Sequence, residues 1–213
     1  MVESRRDSLI AAAAALLDQG GPAAVTLREV GRTAGVSHNA PYKHFADKDA
    51  LLAAVAGREL DQLARVARAR AGATPQPSAK ALMTGYVAWA LRYPERFKLT
   101  FGRWTREEPE LAATAAAAHS MLLSAVATAQ AQGDLPPGDP ERLAGLLQAL
   151  AHGAADLALS GHLSESGKGR AGPADLVADL FDYLRLAAAE KASQAPVSIG
   201  AAGSRHHSDS EPS

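Results

Sequence analysis

The feature that most constrains the fold is a pair of short helix signals, separated by a glycine turn, between Thr26 and Phe45. Thr26-Leu-Arg-Glu29 is a capping-box pattern, in which the hydroxyl and the carboxylate can each satisfy the other residue's backbone N–H. This helix is predicted to end near Gly35, because glycine readily adopts the left-handed conformation. Ser37 can then cap a second helix that runs to about Phe45. Such spacing predicts either a helix-turn-helix or a plain helical corner in a bundle.

Helix signals continue along the chain, and strand signals are scarce. Alanine, the strongest helix former, fills 49 positions, whereas valine, isoleucine and threonine together fill 20. Glycine or proline marks many of the predicted boundaries. The predicted helices cover about residues 9–20, 26–35, 37–45, 48–71, 78–92, 94–104, 108–132, 140–160 and 173–191. The sequence therefore predicts an all-α protein of about nine helices.

Two changes in composition divide the chain. Residues 72–77 contain two prolines and predict a boundary between two units. The first unit is residues 1–52, which contain the two short helices and are followed by a connecting helix to about residue 71. The second unit is a helical domain over residues 78–191. Residues 192–213 are rich in Ser, Gly, Ala, Pro and His, so we expect a disordered tail there.

Residues 26–52 read TLREVGRTAGVSHNAPYKHFADKDALL. This segment resembles the N-terminal domain of the TetR/AcrR family of bacterial transcriptional regulators, and with the first helix the resemblance spans residues 5–55. The shared features are the threonine cap, the Ala-Gly-Val-Ser turn, the Tyr-x-His-Phe sequence, and a lysine followed by a Leu-Leu pair. The resemblance implies a three-helix DNA-binding domain joined by a long helix to a C-terminal domain for ligand binding and dimerisation.

The resemblance also implies which residues contact double-stranded DNA. Residues matching His38, Asn39 and Ala40 would meet base edges, the Ala40 methyl contacting a thymine methyl, and a larger set would reach phosphates. The predicted DNA-binding residues are Thr26, Arg28, Ser37, His38, Asn39, Ala40, Tyr42, Lys43, His44 and Lys48. Solvated helix surface is the alternative reading of His38 and Asn39. Pro41 stands where many relatives carry an aliphatic residue, and we expect it to alter the pose of the recognition helix but not its presence.

A homodimer follows from the geometry of DNA recognition. One short helix makes too few base contacts for useful specificity, so two copies are expected to read a palindromic operator. Leucines at three- and four-residue spacing in the last two predicted helices could form a four-helix bundle between subunits. The predicted interface residues are Leu143, Leu147, Leu150, Ala154, Leu157, Leu176, Leu180 and Leu184. The alternative for each of them is the core of its own chain.

Aromatic residues interleaved with alanine predict an apolar pocket in the second domain, because alanine leaves volume for a ligand. The candidate pocket residues are Met83, Tyr86, Trp89, Phe97, Phe101, Trp104, His119 and His152. Ordinary core packing is the alternative. Tyr93-Pro-Glu-Arg-Phe97, Phe101 and His152-Gly153 also resemble a TetR subgroup with a Trp-His-Gly motif, although Ala151 stands in place of the tryptophan.

Together with the predicted pocket, the resemblance implies a TetR-type repressor that a small apolar effector of unknown identity releases from its operator. The alternatives are a small helical enzyme using His119 or His152 as a base, and an adaptor that binds protein through the predicted recognition helix. No catalytic residue, cofactor or metal site is predicted: the chain has no cysteine, and His38 and His44 are too far apart for an i, i+4 zinc pair.

Residues 4–17 combine an arginine pair with the apolar run Leu9–Leu17, an arrangement similar to a twin-arginine export signal. Asp7 directly after the arginines and Asp18 at the end of the run favour a first amphipathic helix instead. The later apolar stretch Leu143–Leu159 is interrupted by polar residues, so no membrane span is expected there. The sequence predicts a cytoplasmic protein.

Overall fold

The computed structural model describes residues 4–71, 77–105, 107–167 and 170–194. Within these ranges the chain forms eight α-helices and one short 3-10 helix, Pro41–Lys43, and no strand. The α-helices are α1 (Arg5–Ala24), α2 (Leu27–Thr33), α3 (Lys48–Ala71), α4 (Ala79–Arg92), α5 (Pro94–Thr100), α6 (Pro109–Ala131), α7 (Pro140–Leu159) and α8 (Pro173–Gln194). The prediction of an all-α fold is confirmed.

The N-terminal unit is formed by α1, α2 and the first turns of α3. Ser4 caps α1 by accepting a hydrogen bond from the backbone N–H of Asp7. The regular helix breaks at Gly20-Gly21, where Gly21 has a φ of +63°. This break agrees with the helix end predicted near residue 20, and one further turn follows it to Ala24. The core of this unit contains Leu9, Leu17, Val25, Val30, Phe45 and Leu51, all buried.

The long helix α3 belongs to both parts of the molecule. Its first turns place Leu51 and Val55 in the N-terminal core. Leu60 then packs in a small cluster with Leu111 of α6, and Leu63 packs against the core of the C-terminal domain. A displacement at one end of α3 therefore reaches the other end through a continuous helix.

The C-terminal domain packs α4 against α7 and α8, while α6 crosses α3 and α7. Its core gathers Met83, Val87, Val126, Leu147 and Val177 from these helices. Of the described helices, α6 alone is long and apolar enough to cross a membrane by length and composition, and here it packs on the other helices of the domain.

Two predicted boundaries fall largely outside the described ranges. Residues 72–76 in the boundary segment, and residues 195–213 in the predicted tail, are not described, and α8 continues to Gln194. Helix α5 ends at Thr100, four residues earlier than predicted, and the N–H of Gly102 bonds the Leu99 carbonyl as the helix closes. Trp104 consequently lies in the loop between α5 and α6.

Candidate nucleic-acid interface and ligand pocket

The start of α2 forms half of the predicted capping box. The Thr26 hydroxyl accepts a hydrogen bond of 3.1 Å from the Glu29 backbone N–H. The Glu29 carboxylate instead accepts hydrogen bonds from the Arg32 guanidinium, which lowers the pKa of Glu29. The cap depends on Thr26 alone, and Glu29 and Arg32 partly neutralise each other on the exposed side of α2.

The turn after α2 brings the recognition segment close to that helix. Gly35 has a φ of +65°, as the glycine turn requires. A Cβ atom added to Gly31 would lie 3.1 Å from Cγ of Pro41, whose ring is fully buried. Gly31 therefore allows the close approach expected from its size, and Pro41 is the residue that fills the space.

The prediction of an α-helix from Ser37 to Phe45 is wrong. A hydrogen-bonded turn, in which the Ala40 N–H donates to the Ser37 carbonyl, precedes the 3-10 helix Pro41–Lys43. Pro41 has no N–H to donate, so the i to i−4 ladder cannot start at this position. The N–H groups of His44 and Phe45 both bond the Pro41 carbonyl and end the segment.

This recognition segment, residues 37–44, presents a row of exposed polar side chains. Ser37, His38, Asn39, Lys43 and His44 are all exposed, as is half of Tyr42. The His38 ring nitrogen Nδ1 lies 3.1 Å from the Asn39 Oδ1, which orients both groups. On α2, Arg28 is also exposed. The surface therefore offers donors and acceptors together with positive charge, the combination used to contact base edges and phosphates.

Two predicted contact residues are placed differently. Ala40 is only 5% exposed and belongs to the interior, so the expected contact of its methyl group with a thymine is not available. Its burial follows from the tight turn, which turns this position toward α2. The Lys48 ammonium donates to the Pro22 carbonyl and ties the start of α3 to the end of α1, which leaves two of its three N–H bonds for a phosphate.

A cavity of about 800 Å³ lies between α3, α4, α6 and the segment that follows α5. Its lining includes alanines of all three helices and few charged groups. Six of the predicted pocket residues line it: Met83, Tyr86, Trp89, Phe101, Trp104 and His119. At its edge, His119 Nε2 lies 2.7 Å from a carboxylate oxygen of Glu141 on α7.

The other two predicted pocket residues, Phe97 and His152, lie behind the cavity wall. Their rings stack with centroids 4.8 Å apart, and His152 Nδ1 lies 2.9 Å from the Tyr86 hydroxyl. Burial raises the pKa of Tyr86, so this hydroxyl stays protonated. These two residues are wrong as lining residues because ring packing covers them, and they hold Tyr86 in place.

Two polar atoms in the cavity wall lack a hydrogen-bond partner among the described residues. They are the Thr100 hydroxyl, on a residue 8% exposed, and the indole Nε1 of Trp104. Both atoms are sealed from solvent, and both residues line the cavity. Buried polar groups nearly always have a hydrogen-bond partner, so two unpartnered polar atoms in the wall of one cavity are unusual.

A partly buried ionic network, which the sequence patterns did not predict, joins the two domains. Glu59 of α3 is 4% exposed, and it accepts 3.0 Å hydrogen bonds from Trp89 Nε1 and from the Arg96 guanidinium. Arg96 also forms two hydrogen bonds with Asp18 of α1, at 2.9 and 2.6 Å. Burial acts against the charge of Arg96, but its two acidic partners outweigh it and raise its pKa. A glutamate four residues after Val55, on the apolar side of α3, was the available signal.

The predicted interface leucines do not share one environment. Leu147 and Ala154 are buried in the core of their own chain, so their side chains cannot contact a partner, because α7 packs this side on α4. Leu143, Leu176, Leu180 and Leu184 are half-buried, while Leu150 and Leu157 are exposed. The large apolar side chains exposed on α7 and α8 are Leu146, Leu150, Leu157, Tyr183 and Leu186.

The described residues contain no cluster of three or more His, Cys, Asp or Glu side chains that could hold a metal ion.

Comparison with known families gives a match on each side of the predicted boundary. Residues 9–55 match the family described as bacterial regulatory proteins, tetR family. Residues 79–185 match a family described as tetracyclin repressor-like, C-terminal domain. The first match contains α2 and the recognition segment, and the second contains the part of the cavity lining that follows α3 and the exposed leucines of α7.

Individual relatives agree with these matches. An HTH-type transcriptional repressor of Mycobacterium tuberculosis is 29% identical over 54% of this chain and 68% of its own length. A protein of unknown function from Rhodococcus sp. RHA1 is 33% identical, with a TM-score of 0.70 over 86% of this chain and 95% of that one. A structure assigned to the TetR-family regulators, also from Rhodococcus, is 27% identical, with a TM-score of 0.64 over 87% of this chain and all of that one.

A more distant structure shares the fold only. It is AibR in complex with isovaleryl coenzyme A and operator DNA, 17% identical, with a TM-score of 0.61 over 85% of this chain and 98% of that one.

Proposed function

Because this chain belongs to the TetR family of helix-turn-helix transcriptional regulators, we propose that it is a repressor released from its operator by a small apolar molecule. Family membership points to a regulator rather than an enzyme, and implies a soluble protein. We place its action in the cytoplasm, where the operator lies. One observation carries the proposal: α3 begins beside an exposed polar surface and ends as the wall of an 800 Å³ cavity.

The recognition segment supplies the proposed DNA contacts. His38 and Asn39 offer donors and acceptors to base edges in the major groove, while Lys43 contributes charge to a phosphate. Tyr42 and His44, with Ser37, donate to flanking phosphates. From neighbouring elements Thr26, Arg28 and Lys48 complete the phosphate contacts, since the Thr26 hydroxyl accepts from Glu29 and can still donate its own proton.

A second copy is proposed to pack on the exposed apolar side chains of α7 and α8. Leu146, Tyr183 and Leu186 are each about two-thirds exposed, which is costly for large apolar groups on an isolated chain. A two-fold axis through this surface pairs equivalent residues and presents two recognition segments to one palindromic operator. Leu150 and Leu157 lie on the same helix and extend this surface.

The cavity is the proposed effector site, and α3 is the proposed route from it to the DNA. A ligand changes operator affinity only if it binds the DNA-competent and DNA-free states with different affinities. Leu60 and Leu63 of α3 both line the cavity, so a ligand that displaces them displaces the helix that holds Leu51 in the N-terminal core. AibR, a protein of the same fold, has been solved in complex with isovaleryl coenzyme A and operator DNA.

The test is selection of bound duplexes from a random DNA pool, with the native chain and with the triple variant His38→Ala, Asn39→Ala, Lys43→Ala. We expect the native chain to enrich a palindrome and the variant to lose it, since each lost base contact costs about 1–3 kcal/mol. Arg65→Ala is the matched control, because Arg65 is an exposed cation in the middle of α3, away from the recognition segment. Absence of enrichment by a folded dimer at low salt would contradict DNA reading by this surface.

Salt dependence measured on the selected operator separates phosphate contacts from base contacts. Lys43→Ala removes one phosphate contact from each protomer of the dimer, so it should reduce the slope of log affinity against log salt by about 1.8, about 0.9 for each contact. Arg65→Ala should leave the slope unchanged. Equal slopes for the two variants would remove Lys43 from the phosphate-binding set.

A further inference from the structure

From the two unpartnered atoms in the cavity wall we infer the chemistry of the ligand: an uncharged, largely apolar molecule that carries a hydrogen-bond acceptor, which Trp104 and Thr100 read. This inference rests on the proposed function in one respect, that the cavity is the effector site. It goes further in naming the class of ligand and the residues that recognise it.

The lining of the cavity sets the apolar character of the ligand. Alanines such as Ala81, Ala112 and Ala115 leave open volume beside the rings of Tyr86 and Phe101. The charged groups in the lining are few: Arg92 is exposed, Glu108 is half-buried, and His119 is paired with Glu141. A charged group placed among the alanines and rings, away from these side chains, would lose its hydration without gaining a counter-ion.

The orphan atoms set the polar requirement. An indole N–H can only donate, and a threonine hydroxyl can donate as well as accept, so a carbonyl or ether oxygen can pair with either group. Leaving either group buried and unpaired is costly, and a ligand that supplies the acceptor removes this cost. The second tryptophan of the cavity differs, because Trp89 already donates to Glu59.

The position of Trp104 connects this hydrogen bond to the DNA-binding unit. Its ring packs against the N-terminal core and against the cluster that joins α3 to α6. Its N–H is sealed from solvent in the unliganded chain, so the indole has to move for a ligand to reach it. Ligand binding at Trp104 therefore displaces a side chain that packs against the N-terminal core.

The test measures binding of matched probes to the full chain by equilibrium dialysis, without DNA. One pair is 9-fluorenone and fluorene, and the other is benzophenone and diphenylmethane; fluorene-9-carboxylate is the charged counterpart. Without a donor in the cavity, each hydrocarbon should bind at least as tightly as its ketone, because the ketone gives up a hydrogen bond to water. We expect the ketone to bind about fivefold to tenfold more tightly in at least one pair, and the carboxylate to bind more weakly than fluorenone.

Three variants identify the donor. Thr100→Val keeps the shape and Trp104→Phe keeps an aromatic ring, and loss of the ketone preference in either one supports the inference. Thr128→Val is the matched control and should keep the preference, because Thr128 is exposed on α6 and does not line the cavity. Because Thr100→Val removes an unpaired buried hydroxyl, it should fold at least as stably as the native chain and stay testable even if Trp104→Phe does not.

Other outcomes overturn the inference. These are tighter binding of both hydrocarbons, tighter binding of the carboxylate, no binding of any probe, or a ketone preference that survives in both Thr100→Val and Trp104→Phe. The operator selection described above is independent of all of them. A chain that reads DNA but shows no ketone preference refutes only the ligand class, and the reverse result refutes only the DNA-binding function.

Discussion

The N-terminal unit and the C-terminal domain are both all-helical, but they differ in how completely their interiors are filled. In the first, Leu9, Leu17 and Leu51 have no exposed surface, and Gly31 is in close contact with Pro41. In the second, a cavity of about 800 Å³ separates α3, α4 and α6, and two buried polar atoms have no partner among the described residues. A filled core holds the recognition segment in one geometry, whereas an unfilled one can adapt to a ligand.

The largest expected effect comes from deleting equal volumes on the two sides. Leu51→Ala should lower the free energy of unfolding by about 2–5 kcal/mol, because the surrounding core cannot collapse into the space. Leu63→Ala should cost about 1 kcal/mol, because this leucine already faces the cavity and loses fewer contacts. Urea unfolding, at one protomer concentration so that dimerisation does not bias the comparison, measures both values. Equal losses of unfolding free energy in Leu51→Ala and Leu63→Ala would mean that the cavity is closed in solution.

The next effect concerns the network that crosses between the two regions. Glu59→Leu leaves the Trp89 N–H unpaired and Arg96 with only Asp18, so we expect a loss of about 2–3 kcal/mol. Glu59→Gln keeps a carbonyl acceptor and should lose less. The same urea measurement on Asp61→Asn provides the control, since the exposed pair of Asp61 with Arg65 is worth at most about 1 kcal/mol.

Stability alone does not show that this network connects the domains. The variants should therefore also be compared by the ratio of operator affinities with and without fluorenone. If the ratio of the two operator affinities is the same in Glu59→Gln as in the native chain, Glu59 stabilises the fold but does not couple the cavity to DNA binding.

The two regions also differ in how far the sequence predicts them. The N-terminal unit is encoded by local signals, such as the threonine cap at Thr26 and the left-handed glycine at Gly35, and the structure places both as expected. The recognition segment departs from the expected α-helix at Pro41. Proline has no N–H to donate, and at this position the missing donor replaces the predicted α-helix by a turn and a 3-10 helix.

The cavity and the network depend on contacts between helices distant in sequence, so local signals reach them only in part. The pattern of aromatic and alanine residues indicated six residues that lie around the cavity, but it did not separate them from Phe97 and His152, which pack behind the wall. Leucine spacing identified the apolar sides of α7 and α8, but period alone does not distinguish the buried Leu147 from the exposed Leu150. Glu59 finds its partners on two other helices, a relation that no spacing within α3 contains.

The smallest expected effect comes from adding one methyl group to each region. The change in the free energy of unfolding should have opposite signs in the two regions. Gly85→Ala adds a Cβ in the middle of α4, where no atom lies within 4 Å, so it should stabilise the chain by up to about 1 kcal/mol through helix propensity alone. Gly31→Ala gains the same propensity, but its Cβ would lie 3.1 Å from the buried Pro41 ring and force α2 and the recognition segment apart. We expect a net loss of about 1 kcal/mol and weaker binding to the selected operator, while Gly85→Ala keeps its DNA affinity. Stabilisation by both substitutions would show that the N-terminal unit yields as readily as the cavity wall, where Gly85 lies. The contrast between a filled and an unfilled interior would then not account for the proposed division of the molecule into a DNA-reading region and a ligand-binding region.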